Sequence, residues 1–458
     1  MKRGFYFNTI KGNNYYYDDI TGKVVNGEKG SGVIFGEQIE DFNDIVNPKD
    51  IEKYLTVNGF QQLTLMITED CNIRCKYCVY SGNYTNSRVH GNNCMDFSIA
   101  KEAVVKYLEG FKSVKNRNPF LVPAIGFYGG EPLLNYKLIR QVVQFCKEIY
   151  PNDIHYNMTT NAILLDDDKI AFLADNKFSL SVSLNGDREE HNRLRVFKDG
   201  TGTYDIVSKK INRIKELYPD YYKKYCSLLI TFDWGTDLIK LNDFITKNMD
   251  NLPLVAKITP VSALFTDWYD RYPKELRRKQ QEDMELLREK YIQQLKLGKP
   301  DQLLKVIFGL EYFTVLNRPL NLSLKESKVK FLPYTGACVP GTKVAVNSQG
   351  KLHFCERVSE ATPIGDVNSW LDYDKISEFL VKYNKAMIHR CSSCPIQRLC
   401  DICYSHVIDN NGEVCKDDEL CDSVIQFYVD RFSKAWDLME DDITFDDILS
   451  VSKNLRGC

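Results

Sequence analysis

Three cysteines with an unusual spacing are the residues of this chain best suited to chemistry. Cys71, Cys75 and Cys78 form a C-x3-C-x2-C loop. Structural zinc sites usually close with four ligands, often arranged as C-x2-C pairs. Iron–sulfur clusters take Cys thiolates, so three thiolates without a local fourth predict a four-iron cluster whose remaining iron binds a substrate or cofactor. Buried thiols or a zinc site are the alternative that this spacing leaves open.

Composition and charge narrow the class of protein. The chain has 458 residues, which is enough for two or three domains. Its net charge of -2 argues against nucleic-acid binding, which normally requires a basic surface. The amino terminus has no signal-peptide pattern, and no apolar run reaches membrane-spanning length. We therefore expect a cytoplasmic protein with no nucleic-acid or membrane partner, in which 15 cysteines are not a disulfide framework.

The elements that must position the cysteine loop begin at residue 62, where strand-like and helix-like runs alternate. This alternation predicts parallel strands with helical crossovers, and six strands predict an α/β fold with a partial, TIM-like (β/α)6 barrel. The predicted strands are Leu63–Thr68, Ala124–Tyr128, His155–Thr160, Ser179–Leu184, Ser227–Phe232 and Leu254–Pro260. The predicted helices are Phe97–Lys112, Tyr136–Tyr150, Asp166–Asn176, Tyr204–Tyr218 and Leu238–Met249.

The two ends of the chain differ from this central part. The first residues predict a small β-meander, followed by a helix with Asn47 as N-cap and Pro48 as its first residue. A long charged helix is expected over 273–298. From Tyr334 to Cys421 the periodicity vanishes, so we expect bound metal to fold that segment, and a last helix is expected over 422–440. The predicted domains are an N-terminal β-rich segment (1–55), the barrel (56–270), a helical linker (271–333), a Cys-rich domain (334–425) and a C-terminal helix (426–458).

A second motif lies at the end of the second predicted strand. Gly129, Gly130, Glu131 and Pro132 form a G-G-E-P sequence. Paired glycines permit unusual backbone angles and close approach to a ligand, and a carboxylate accepts hydrogen bonds from a ligand ammonium. Such a sequence is weak evidence alone, but it is strong evidence one strand away from the cysteine loop.

Together these motifs resemble the radical S-adenosylmethionine (SAM) superfamily over roughly residues 62–260. The resemblance implies that Cys71, Cys75 and Cys78 hold a [4Fe–4S] cluster, whose open iron binds SAM. The 5′-deoxyadenosyl radical that results then abstracts a hydrogen atom from the substrate. It also implies that residues 129–132 hold the SAM amino group, and that an external electron donor such as flavodoxin or ferredoxin is needed.

The resemblance extends to further cofactor-binding positions. Tyr77 matches the residue near the adenine, and Asn161 matches a third-strand Asn, although Ala162 follows it where the family usually has Gly. Ser183 and Asn185 match the ribose-contacting segment. Arg195 is placed to pair with the SAM carboxylate, and a surface ion pair is its alternative role.

The second group of cysteines resembles the SPASM extension of radical SAM enzymes, which holds two auxiliary [4Fe–4S] clusters. On that pattern the outer cluster takes Cys391, Cys394, Cys400 and Cys421, with Cys415 as the rival of Cys421. The inner cluster takes Cys338, Cys355 and Cys403, although the last gap of the pattern is one residue shorter than usual. A zinc ribbon is the alternative that the spacing leaves open.

The inner set lacks a fourth cysteine where the sulfatase-maturing relatives have one. An open iron there would suit a substrate thiolate, a soft ligand, although Cys415 or Cys94 could fill the place. Glu356 matches an acidic residue that serves as base in those relatives, and a solvated pair with Arg357 is the alternative.

SPASM proteins mostly modify ribosomally made peptides and proteins, so we expect a precursor peptide as substrate. The missing inner ligand favours a maturase that forms thioether bridges from Cys sulfur to carbon. Carbon–carbon cross-linking and formylglycine formation in sulfatases are the alternatives. Residues 1–55 are hypothesised to bind a leader peptide as an added strand.

Overall fold

The N-terminal segment forms a four-stranded antiparallel sheet. The computed structural model describes residues 2–27, 32–36, 46–317, 332–334, 336–415 and 417–452, with side chains to residue 448. The sheet has the order β3-β2-β1-β4. Its strands are β1 (Gly4–Asn8), β2 (Asn14–Asp18), β3 (Lys23–Asn26) and β4 (Gly32–Ile34). The predicted meander is therefore present, with one additional strand.

The central sheet contains the six predicted strands, all parallel and in sequential order. They are β5 (Gln62–Thr68), β6 (Ala124–Gly129), β7 (His155–Thr160), β8 (Ser179–Ser183), β9 (Cys226–Phe232) and β10 (Leu254–Pro260). One face of these strands is apolar and buried under helices, as Leu63, Leu65 and Ile67 of β5 illustrate. The other face is polar: Gln62 donates to Asn157, and Ser181 pairs with Ser227. The α/β partial barrel is confirmed.

The sheet also continues into the Cys-rich segment, which the sequence did not predict. The additional strands are β11 (Lys343–Val346), β12 (Lys351–His353), β13 (Gly365–Asp366) and β14 (Trp370–Leu371). Strand β11 pairs in parallel with β5, and β12 to β14 follow antiparallel. The Cys-rich segment is thus joined to the barrel by backbone hydrogen bonds rather than by side-chain packing alone.

Helices cover the outer face of the central sheet, and further helices lie before and after the barrel in the chain. They are α1 (Pro48–Asn58), α2 (Phe97–Arg117), α3 (Tyr136–Ile149), α4 (Asp167–Asp175), α5 (Arg188–Leu194), α6 (Tyr204–Leu217), α7 (Pro219–Tyr225), α8 (Leu238–Lys247), α9 (Lys274–Lys296), α10 (Gln302–Leu304), α11 (Leu310–Asn317), α12 (Tyr373–Cys391), α13 (Asp418–Glu440) and α14 (Phe445–Ser452). Asn47 caps α1 and Pro48 is its first residue, as predicted. No helix in the described ranges combines the length and apolar character that crossing a bilayer requires.

Helix α12 corrects the expectation that periodicity vanishes from Tyr334. It buries Phe379, Leu380 and Tyr383 among other side chains, so apolar packing as well as any metal builds this part of the fold. Helix α13, which was expected to begin at residue 422, begins earlier because Asp417 caps it by accepting from two backbone N–H groups, and the additional helix α14 follows it. The expected linker over 271–333 contains α9 to α11, and residues 318–331 lie outside the described residues.

Aromatic side chains attach the N-terminal sheet to α13. The ring of Phe432, fully buried, lies 4.7 Å from that of Tyr17 and 5.2 Å from that of Phe5. Trp436 lies 5.5 Å from Phe7. Polar contacts surround this packing: Glu440 Oε1 accepts from Thr9, Asn13 and Tyr15. The sheet and α13 are therefore parts of one packed body.

Replacing Phe432 with Ala tests this attachment. We expect Phe432→Ala to lower the free energy of unfolding by about 3–5 kcal/mol, because a fully buried ring between two elements is lost. Phe427→Ala is the control on the same helix, because that ring is 43% exposed. Calorimetric unfolding of both variants measures the difference, and equal destabilisation would contradict the assignment.

Candidate functional site

The cysteine loop directly follows β5, at the carboxyl end of the parallel strands. All three thiols are partly buried. Burial raises the pKa of Cys71 to about 12 and that of Cys78 to about 11, because a thiolate loses hydration there. Thiolates at this position therefore need a bound cation to compensate their charge. Across the described part of the chain, no group of three or more His, Cys, Asp or Glu side chains is arranged around a single metal ion.

The two glycines of the G-G-E-P sequence allow β6 to approach this loop. A Cβ on Gly129 would lie 2.3 Å from the carbonyl oxygen of Thr68, and one on Gly130 would lie 2.1 Å from that of Asp70. Neither glycine has a positive φ, so the expected unusual backbone angles are absent. The glycines are required because the end of β6 contacts the backbone that enters the cysteine loop.

Glu131 holds the ends of β6 and β7 together. Its buried carboxylate accepts from Leu133 N (3.1 Å), Thr160 Oγ1 (2.7 Å) and Asn161 N (2.8 Å). Burial raises the pKa of Glu131, although these donors and the charge of Arg195 oppose the rise. A carboxylate offers about four acceptor sites, so most of its capacity is used within the protein. Glu131 therefore has little acceptor capacity left for a ligand ammonium.

Tyr77 and Arg195 connect the loop to the end of β8. The Tyr77 hydroxyl accepts from Arg195 Nη1 at 2.8 Å and from Asn185 Nδ2 at 3.3 Å. Arg195 is 6% exposed, and its Nε has no hydrogen-bond partner within the described residues. Burial lowers its pKa, but nearby Cys75 and Tyr77 raise it overall. A buried, partly unsatisfied guanidinium beside the loop fits an anionic group such as the SAM carboxylate and argues against the surface ion pair.

Asn161 and Ser183 occupy neighbouring strand ends. Asn161 Nδ2 donates to Asn72 Oδ1 at 2.8 Å and lies 3.7 Å from Cys71 Sγ, so it contacts the loop directly. Ala162 has a φ of 65°, a left-handed conformation that costs a non-glycine residue about 1–2 kcal/mol. This explains why a glycine usually follows the Asn. Ser183, the last residue of β8, is half-buried two residues before Asn185.

His191 is a positioning residue that was not among the predicted site residues. It is fully buried, accepts at Nδ1 from Asn185 N (3.3 Å) and pairs at Nε2 with Thr203 Oγ1 (2.9 Å). Burial and the charge of Arg195 lower its pKa to about 2. A neutral His191 therefore fixes the backbone that carries Asn185 and Arg195. Its signal in the sequence was its position four residues before Arg195, in His-Asn-Arg-Leu-Arg.

Glu356 faces the mouth of the barrel from the Cys-rich segment. Its backbone carbonyl accepts from Tyr80 Oη at 3.3 Å, and its carboxylate lies 4.0 Å from Arg357 Nε. The charge of Glu356 raises the pKa of Tyr128 on β6, after the larger effect of burial. Glu356 is therefore near the strand ends and also pairs with Arg357, so both expected roles remain compatible with its position.

Lys257 reaches the same mouth and was not predicted. Strand β10 has a bulge, in which Val255 pairs with Leu228 and Lys257 with Leu229. A bulge re-aims the side chains that follow it. Burial and Arg357 lower the pKa of Lys257, whereas Glu356 raises it, so the three charged groups interact. No periodicity in the sequence could have revealed this, because a bulge breaks the alternation.

The four cysteines of the predicted outer cluster line one cavity. We refer to this cavity as the outer cysteine site. Cys391, Cys394, Cys400 and Cys421 line it, together with Arg390 and Gln397. Cys415 is exposed and is not among its lining residues. The structure thus favours Cys421 over Cys415, and four thiols in one cavity fit a cluster.

The three predicted inner ligands interact electrostatically. Charge on Cys403 raises the pKa of both Cys338 and Cys355, in addition to the larger effect of burial. Tyr404 Oη donates to the Cys338 carbonyl at 2.7 Å, which ties the two segments. We refer to Cys338, Cys355 and Cys403 as the inner cysteine site. Cys94 Sγ lies 3.4 Å from Thr68 Oγ1 at the end of β5.

Comparison with known proteins agrees with the first of these sites. Residues 65–233 match the family model of the radical SAM superfamily. An uncharacterized protein of Methanocaldococcus jannaschii is 29% identical over 231 residues, which cover 47% of this chain and 74% of that protein. Residues 65–233 are therefore a radical SAM domain, as the resemblance predicted.

Two relatives of known activity match shorter parts. A cysteine-type anaerobic sulfatase-maturating enzyme of Clostridium novyi is 27% identical, covering 33% of this chain and 40% of that enzyme. The radical SAM cyclopropyl synthase TigE of Paramaledivibacter caminithermalis is 25% identical, covering 51% of this chain and 49% of that enzyme. The chain thus spans less than half the length of either enzyme.

A solved structure of anSMEcpe with bound AdoMet shares the fold. It superposes with a TM-score of 0.56 at 19% identity, covering 86% of this chain and 98% of that chain. The similarity extends well beyond residues 65–233, so the Cys-rich segment is part of the shared architecture.

Gly130→Ala tests the contact between β6 and the cysteine loop. The added Cβ would clash with the Asp70 carbonyl oxygen, so the loop must move and we expect the iron of the first cluster to be lost. Iron per chain after anaerobic reconstitution measures this, with Cys71→Ala as the reference for complete loss. Gly200→Ala is the control, because that glycine has a φ of 88° but no atom within 4 Å of the added Cβ. Full iron content in Gly130→Ala would disprove the proposed role of this contact.

Proposed function

We propose that this radical SAM protein is a SPASM-type enzyme that modifies a ribosomally made precursor peptide by forming thioether cross-links. The observation that carries the proposal is the inner cysteine site: the charge of Cys403 acts on Cys338 and Cys355, and residues 330–337 just before Cys338 contain no further cysteine. Three thiolates would leave one iron of an inner cluster free for the thiolate of a substrate cysteine.

Different residues around the cysteine loop would bind the cluster and orient SAM. Cys71, Cys75 and Cys78 would hold the SAM-binding cluster. Arg195 would bind the SAM carboxylate through its unsatisfied N–H, and Tyr77 and Asn185 keep the guanidinium in place. When bound, the cluster and SAM supply the one-electron chemistry that removes a hydrogen atom from the substrate. The polar inner face of β5 to β9 provides hydrogen-bonding groups around this position.

Glu356 is the proposed proton acceptor. Its position at the barrel mouth, between Cys355 and the strand ends, suits removal of a proton from a substrate group held between the two sites. Lys257 and Arg357 compensate the charge of its carboxylate. The electron itself would come from an external donor such as flavodoxin or ferredoxin, and the substrate partner would be a Cys-containing precursor peptide.

The thioether assignment can be tested directly on the product. The reduced enzyme, incubated anaerobically with SAM and a Cys-containing precursor from a neighbouring reading frame, should remove a pair of hydrogens from the peptide. One thiol should no longer react with iodoacetamide, because its sulfur is bonded to carbon. Mass spectrometry measures both changes, and Cys71→Ala/Cys75→Ala/Cys78→Ala is the inactive control. A product that loses hydrogens but remains fully alkylatable would exclude a thioether.

The relatives favour two alternative products. The similarity to the cyclopropyl synthase favours carbon–carbon bond formation, which would leave every thiol reactive. The similarity to the sulfatase-maturating enzyme favours formylglycine, which would appear as an aldehyde that reacts with hydrazides. The same peptide products therefore distinguish the three reactions.

Leader binding by residues 1–55 has a specific candidate edge. Strand β3 pairs only with β2, so its other side is free within the described residues. Gly27 N donates toward β2 at Asn14 O, and strand alternation then directs the N–H of Asn26 away from β2. A leader peptide would add here as a fifth strand.

Asn26→Pro tests this edge without removing a hydrogen bond between β2 and β3. Proline cannot donate to an added strand, so precursor binding should weaken about tenfold or more. Asn26→Thr, which keeps the N–H, is the control, and fluorescence anisotropy of a labelled precursor measures binding. Equal affinity of both variants would exclude this edge as the leader site.

A further inference from the structure

The N-terminal sheet lies against the outer cysteine site through a set of polar contacts. Arg398, two residues before Cys400, donates its backbone N–H to Asp19 Oδ1 at 3.0 Å. Its guanidinium donates to the carbonyl oxygens of Asp19 (3.0 Å) and Ile20 (2.6 Å). Gly36 N donates to the carbonyl of Ser393, next to Cys394, at 3.2 Å. The sheet therefore contacts the cysteine-bearing backbone at two separate points.

The guanidinium of Arg3, directly before β1, has a partner for only some of its N–H groups. Arg3 Nη2 lies 3.2 Å from Asp19 Oδ2, and the two side chains are 7% and 0% exposed. Arg3 Nε and Nη1 are buried and have no hydrogen-bond partner in the described ranges. Leaving a buried charged donor unpaired is costly, so these N–H groups call for an anionic partner.

The outer cysteine site would provide that partner. Asp19, which pairs with Arg3, accepts from the backbone N–H two residues before Cys400. Gly36, which lies against Arg3, donates to the carbonyl next to Cys394. These contacts hold Arg3 beside the backbone that carries the cysteines of the outer site. A cluster bound by four thiolates is negatively charged, and its charge becomes more negative on reduction. Hydrogen bonds, nearby charge and exclusion of solvent all set the reduction potential of such a cluster.

We propose that the N-terminal sheet is a cover for the outer cysteine site and that Arg3 raises the reduction potential of the cluster bound there. This inference rests on the auxiliary clusters of the proposed function. The added electron enters the cluster from the reductant, no covalent bond changes, and the guanidinium stabilises the more negative reduced state. Asp19 holds Arg3 in place and, as an anion, opposes its effect on the cluster.

Substitutions of the two partners should shift the potential in opposite directions. Arg3→Met in the reconstituted holoenzyme should lower the ratio of reduced to oxidised outer cluster about tenfold at a fixed potential, which is about 59 mV for a one-electron couple. Asp19→Asn should raise that ratio. The titration is done above pH 8, because burial raises the pKa of Asp19 to about 7, although Arg3 and Arg398 lower it. Paramagnetic resonance during the redox titration measures the ratio, and the outer signal is the one that Cys391→Ala removes.

Two further variants separate charge from structure. Lys2→Met removes an exposed cation one residue away and should leave the potential unchanged. Arg3→Lys keeps the charge and should stay close to the wild type. Equal potentials in Arg3→Met and Lys2→Met, or shifts of the same sign in Arg3→Met and Asp19→Asn, would overturn the role of Arg3. If the wild type carries no signal that depends on Cys391, the proposed auxiliary clusters are wrong and the inference fails with them.

Discussion

The constraint on which this structure depends is the cost of placing thiolates where water is excluded. Burial raises the pKa of Cys71, Cys355 and Cys394 to about 12, so none of these groups would ionise without compensation. Bound clusters would supply part of that compensation, and buried arginines would supply the rest. Arg195 lies beside the first site, and Arg390 lines the outer site. Arg3 pairs with Asp19, which accepts from Arg398 two residues before Cys400. Arg195, Arg390 and Arg3 each have an Nε that is buried without a partner in the described residues, which is the arrangement expected of cations that await an anionic ligand.

The cost of burying polar and charged groups also explains why the central sheet has one apolar face and one polar face. The sequences of parallel strands covered by helices are usually continuous apolar runs, because both faces of the sheet are buried. Here the outer face follows that rule, whereas Gln62, Asn157 and Ser181 on the other face hydrogen-bond to neighbours across the strands. A polar inner face can surround a ligand such as SAM, but it would be an unfavourable interior for a barrel closed and filled by its own side chains. An open partial barrel is therefore consistent with a site that takes its ligand from outside.

Much of this arrangement could be predicted from sequence where the signal was local. The six barrel strands follow from their alternation with helices, and Asn47 and Pro48 define the start of α1 through capping chemistry alone. The choice of Cys421 over Cys415 needed the cavity, because both follow the other ligands at plausible spacing. Lys257 could not be predicted, because a bulge in β10 directs it to the barrel mouth. The sequence predicted that Gly130 permits a close approach, but the group it approaches is the Asp70 backbone and not a ligand.

The pairing of β11 with β5 determines how the sites are related in space. The cysteine loop leaves the end of β5, and the hairpin of β11 and β12 leads to Cys355 two residues beyond its last strand residue. Because Lys343 to Val346 pair with Gln62 to Leu65, backbone hydrogen bonds set the offset between the two cysteine segments. Ser348 Oγ adds a bond to Glu69 Oε1 at 3.0 Å, close to the loop itself. A substrate that reacts between the first and inner sites would thus meet them at a separation fixed by the sheet, and the chemistry would depend on how the peptide enters rather than on movement of one site toward the other.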